Sequence, residues 1–114
     1  MQAVTAIFSM DPSKKQQLLA GLEPVVIKMV RELPGFVTGF WSWDHASNVT
    51  YSFIAFDTQE HASALEAFLK GGAEKMAADG ARLERVVVGE VVGAASGKAA
   101  NKVDGPELWQ RLQS

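Results

Sequence analysis

The chain has no cysteine among its 114 residues. Disulfide staples, thiolate nucleophiles and cysteine-based zinc sites are therefore excluded. Its two histidines, His45 and His61, do not make a metal-ligand spacing, so no metal site is expected. There is no basic block either. Eleven Lys and Arg are balanced against 13 Asp and Glu, for a formal net charge of −2. Phosphate neutralisation has nothing to start from, and nucleic acid is not an expected partner. No apolar run reaches the ~18 residues of a membrane span, so no membrane association is expected. The opening MQAVTAIFSMDPSKK lacks a positive n-region and a cleavage-site pattern, which reads as no signal peptide and a cytoplasmic location. The glycines at 71–72 and 93–97 match no phosphate loop, and no internal repeat is recognisable.

What remains is the composition of an ordinary domain, with 47% hydrophobic and 21% charged residues. A chain of this length forms one domain and buries roughly two-thirds of its unfolded surface. Val4 to Ser9 (VTAIFS) reads as a strand, stopped by Asp11-Pro12-Ser13, where Asp11 can cap and Pro12 suits a first helical turn. Leu18, Leu22, Val25 or Val26, Met29 and Leu33 then recur at helical spacing. Pro24 predicts a kink or break near Leu22-Glu23, because it lacks a backbone donor and crowds the preceding turn. Phe36 to Asp44 and Val49 to Phe56 form a hairpin around the polar turn His45 to Asn48. Asp57-Thr58 caps a second helix carrying Leu65, Phe68, Leu69 and Met76, and Gly71-Gly72 weakens its second half by about 1 kcal/mol per glycine. Leu83 to Val92 is the fourth strand.

The order is β-α-β-β-α-β, an α+β, ferredoxin-like fold with a four-stranded antiparallel sheet and two helices on one face. Residues 1–93 make up this domain. Residues 94–114 read as a flexible linker and a short amphipathic segment, with Trp109 as an anchor. Such a sheet normally alternates cleanly, because its second face meets water. Here both faces are apolar. Tyr51, Phe53 and Ala55 oppose Ser52, Ile54 and Phe56 on the third strand. On the second, strict alternation sets Val37, Trp41 and Trp43 opposite Phe36 and Phe40. Helices cover one face only, so a second copy of the chain is the most economical cover for the other. A homodimer is expected.

The segments PGFVTGFW (34–41), FDTQEH (56–61) and LERVVVGEVVG (83–93) resemble the dimeric α+β barrel superfamily that includes the antibiotic-biosynthesis monooxygenases. The resemblance covers residues 3 to 93. It implies a dimeric α/β barrel, with each protomer keeping a cleft between its sheet and helices. In characterised members that cleft holds flat aromatic, polyketide-like molecules, oxidised by dioxygen without a cofactor, or haem. The catalytic sets are not matched. Phe56 stands where a tryptophan is usual, Ser52 replaces an asparagine, and Ala62 replaces a tyrosine; a polar cleft position falls on Ser42.

This pattern points to a small flat apolar ligand in the cleft, with cofactor-free oxidation as the chemistry the resemblance implies. His61, in the first turn of the second helix, is the candidate base. Ser42, Ser52, Phe56, Phe40 and Arg85 are the candidate substrate-binding residues. Trp41, Trp43, Tyr51 and Phe53 are expected at the dimer interface. Asp44 and His45 point apart on a strand, and read as a turn rather than a catalytic pair. The alternatives are a non-catalytic ligand-binding module and a structural or partner-binding dimer. A cleft of ~300 Å³ or more with convergent polar groups separates the first two from the third. A cleft plugged by Phe36, Phe40, Phe56 and Phe68 favours the third.

Overall fold

The computed structural model describes residues 1–97, so the expected amphipathic segment and Trp109 lie outside the described residues. The elements run β1 (Gln2–Met10), a short 3-10 turn (Pro12–Lys14), α1 (Lys15–Gly21), a π-helical stretch (Leu22–Ile27) and α2 (Lys28–Arg31). β2 (Phe36–Asp44), β3 (Val49–Phe56), α3 (Gln59–Gly71), α4 (Ala73–Ala78) and β4 (Ala81–Glu90) follow. The strands form one antiparallel sheet in the order β2-β3-β1-β4, the ferredoxin-like arrangement.

Local chemistry sets the boundaries. Asp11 Oδ1 accepts from the Ser13 backbone N–H at 2.9 Å, and Thr58 Oγ1 accepts from that of His61 at 3.2 Å, so both helical segments open on side-chain caps. Asn48 takes a left-handed φ of 57° to close the hairpin, a conformation asparagine tolerates well. Asp44 accepts from the Ala46 N–H and the Ser47 hydroxyl, so Asp44-His45 belongs to the turn. Gly80, with φ 105°, turns the chain into β4, which starts at Ala81 and ends at Glu90 rather than spanning 83–92. Pro24 does not break its helix. The backbone widens instead into π geometry, in which the Lys28 N–H reaches back to the Glu23 carbonyl.

Val4, Ala6, Ile54 and Phe56 of the sheet pack on Val30, Ala62, Leu65 and Leu69 of the helices, all of them buried. Phe36 meets Phe56 edge-on, with ring centroids 6.3 Å apart. α3 lies directly over β1, β3 and β4, whereas α1 and the π stretch approach no strand as closely. That stand-off leaves room on the sheet.

The register corrects one expectation. Phe36 pairs with Phe56, but Thr38 pairs with Ala55, so one extra residue is accommodated between them as a β-bulge at Val37. Beyond it, Gly39, Trp41 and Trp43 pair with Ile54, Ser52 and Thr50, and share their helix-covered face. Phe40 and Ser42 pair with Phe53 and Tyr51 on the opposite face. The tryptophans therefore look toward the helices, and Phe40 and Ser42 away from them, the reverse of strict alternation.

Candidate small-molecule cavity

Between the sheet and the standing-off helical layer lies a cavity of about 320 Å³. Ala6, Phe8, Met10, Thr50, Ser52 and Ile54 contribute to its floor from β1 and β3. Trp41 and Trp43 enter from β2. Leu18, Leu22, Val26 and Met29 roof it from the first helical layer, and Leu65, Phe68 and Leu69 close it from α3. Among the lining residues Leu19, Val26, Met29 and Phe68 remain substantially exposed and mark the mouth. Phe36, Phe40 and Phe56 do not plug the space, and of the four candidate plugs only Phe68 lines it.

The lining is apolar with a few placed polar groups. Ser52 is nearly buried and sits in register with Trp41. Neither the Ser52 hydroxyl nor the Trp41 indole N–H has a hydrogen-bond partner among the described residues. Trp43 is held differently. Its Nε1 donates to Asn48 Oδ1 at 3.2 Å, His45 stacks on it at 6.3 Å, and Lys15 Nζ lies 5.8 Å from its ring centroid. Among the described residues Asp79 is the one ionisable group lining the cavity, and it is exposed.

Of the other predicted site residues, only Ser42 also lines the cavity. Ser42 touches the wall between the tryptophans, but its hydroxyl donates to the Tyr51 carbonyl at 3.3 Å. Phe56 is fully buried in the core beneath α3 and does not line the cavity. Arg85 pairs with Ile7 on the far face of the sheet. Tyr51 and Phe53 lie on that same face, 46% and 38% exposed. His61 lies outside the cavity, where its Nδ1 sits 2.6 Å from Asp57 Oδ1. That hydrogen bond holds the Asp57 carboxyl below its ordinary range. Both groups crowd Gly35, whose φ of 77° and lack of a side chain make room for them.

Three features escaped the sequence reading. The helical residues Leu22, Val26 and Met29 are wall rather than plain core. Thr38 is fully buried, and its Oγ1 has no hydrogen-bond partner among the described residues. Gly39 lies under Trp41: a Cβ there would sit 2.8 Å from Cη2 and 3.0 Å from Cζ3 of the ring. A glycine inside a strand is a recognised sign of close approach, and was the available signal.

The architecture recurs in solved structures. HapK from Hahella chejuensis superimposes with a TM-score of 0.63 at 16% identity, over 85% of this chain and 98% of that one. The monooxygenase of ActVA-Orf6 from Streptomyces coelicolor, solved in complex with Nanaomycin D, gives 0.59 at 14% identity over 85% and 92%. A candidate antibiotic-biosynthesis monooxygenase from Chloroflexus aurantiacus gives 0.59 at 13% identity over 83% and 96%. The chain shares its fold with these solved structures, two of which carry the name monooxygenase. No protein-family model and no curated protein sequence matches the chain. At these identities the likeness establishes architecture, and the chemistry must be argued from this chain's own cavity.

Proposed function

We propose that this protein binds a flat, predominantly apolar small molecule of aromatic or polyketide-like character in the cavity between its sheet and first helical layer. The observation that carries this reading is the lining itself. About 320 Å³ of space is walled by two tryptophans and aliphatic side chains, and by Ser52, in register with Trp41, whose hydroxyl has no hydrogen-bond partner among the described residues. The volume is at the lower end of small-molecule pockets, roughly 300–1,000 Å³. Apolar walls supply affinity, and a few polar groups orient the guest.

Cofactor-free oxidation is the second reading, favoured by the neighbours that carry the name monooxygenase. It ranks behind binding because His61, the expected base, lies outside the cavity, and Asp79 at the rim is the lining's one carboxylate. We further infer a homodimer formed through the sheet face bearing Phe40, Tyr51, Phe53 and Val87, each between 38% and 46% exposed. Such a patch on an isolated domain favours burial against a partner.

Titration with 9-anthracenemethanol tests the binding reading, because Trp41 and Trp43 line the site and their emission reports occupancy. Saturable quenching, weakened by Ser52→Ala and by Trp43→Ala, is expected. No saturable binding by this alcohol or by a panel of two- to three-ring phenols would overturn it. Aerobic turnover of an anthrone-type substrate decides the second reading, and unchanged turnover in His61→Ala is expected if any turnover occurs.

A further inference from the structure

The geometry points to Trp41 as the residue that sets ligand size, acting as a plate laid on Gly39 whose height fixes the depth of the cavity. This rests on the binding reading above. Gly39 pairs with Ile54 in mid-strand, and its φ is not in the left-handed region, so the backbone there does not need a glycine. An interior strand glycine weakens the strand, since it orders a more flexible unfolded chain and offers no side chain to pack. The space above it explains the residue. A Cβ at position 39 would approach Cη2 and Cζ3, the benzo edge of the Trp41 indole, at 2.8 and 3.0 Å. The ring therefore rests on the Gly39 backbone, and position 39 itself does not line the cavity while Trp41 does.

The direction of any adjustment follows. The Phe53 carbonyl lies 3.4 Å from the same Cβ position, so the strand side is already occupied. A methyl at 39 must lift the indole, and the open space on that face is the cavity. Gly39→Ala makes the site shallower without replacing a lining residue. Trp41→Phe does the opposite, because a smaller ring leaves volume above Gly39. The two changes oppose each other in one column of atoms, so in combination they compensate.

Binding of 2-naphthalenemethanol and 9-anthracenemethanol, followed by probe fluorescence, tests this on the full chain. Gly39→Ala is expected to weaken the three-ring alcohol roughly tenfold while leaving the two-ring alcohol within about threefold. Trp41→Phe is expected to bind 1-pyrenemethanol roughly tenfold tighter than the wild type does, an arm that stands if Gly39→Ala fails to fold. The double variant should recover the three-ring alcohol. Equal losses for both ring sizes, or no gain for the pyrene alcohol, would overturn the size-setting role while leaving the binding reading intact. A wild-type chain that binds none of the three alcohols would remove both.

Discussion

The two faces of this sheet are built from the same strands and do opposite things with their aromatic residues. On the helix-covered face the deep positions are closed, with Val4 and Phe56 at 0% exposure, and the shallow ones frame a cavity with Trp41 and Trp43. On the other face Phe40, Phe53, Thr5 and Val87 run in register across all four strands, and their large members stay exposed. One residue separates these outcomes. Without the bulge at Val37, period-two alternation would turn the tryptophans out and Phe40 in. Backbone register therefore decides which aromatic residues line the cavity and which stay on the open face, since both faces are apolar by composition.

The largest contrast should appear in stability. Phe56→Ala removes a fully buried ring from the core and should cost about 3–5 kcal/mol in urea unfolding. A loss under about 1 kcal/mol would show that the covered face is not the structural one. Phe53→Glu places a charge in the middle of the exposed aromatic row and should leave the fold intact. Its expected effect is on assembly: light scattering should fall from twice the 12.3 kDa chain mass to the chain mass itself. A wild-type chain that is already monomeric at micromolar concentration would sink the pairing role of that face. Phe53→Glu should leave the affinity for 9-anthracenemethanol within about threefold, because that residue faces away from the cavity.

Much of this architecture was legible because it depends on local chemistry. β2 and β3 run over the spans that alternation and the polar turn indicated, and the Asp11 and Thr58 caps sit where their side chains begin the helical segments. The bulge left no local mark. Val37 is a good strand former, and nothing between Phe36 and Thr38 signals an unpaired residue, so the reading carried one alternation through the strand. Pro24 was visible as an interruption, but propensity alone does not distinguish a broken helix from a widened one. The cavity was legible in kind and only partly in membership. Ser42 and Ser52 line it, whereas Phe56, two steps of alternation beyond Ser52, is sealed beneath α3. His61 followed its role as a helix-start residue, and its pairing with Asp57 across one turn keeps it there.

The smallest expected effect lies where the two faces meet the bulge. Thr38 shares its row with Ala55 and Ala3, and all three are buried, unlike the exposed aromatic row beside them. Its hydroxyl is buried and has no hydrogen-bond partner among the described residues. Such a group costs about 1–3 kcal/mol relative to a satisfied one, whereas an apolar group of the same shape carries no such penalty. Thr38→Val keeps the branched shape that suits a strand and removes the orphan oxygen. It should raise stability by about 1 kcal/mol, seen as a higher urea midpoint at unchanged slope. A destabilisation instead would mean that the hydroxyl has a partner in solution, making this end of the open face wet where the aromatic row is dry.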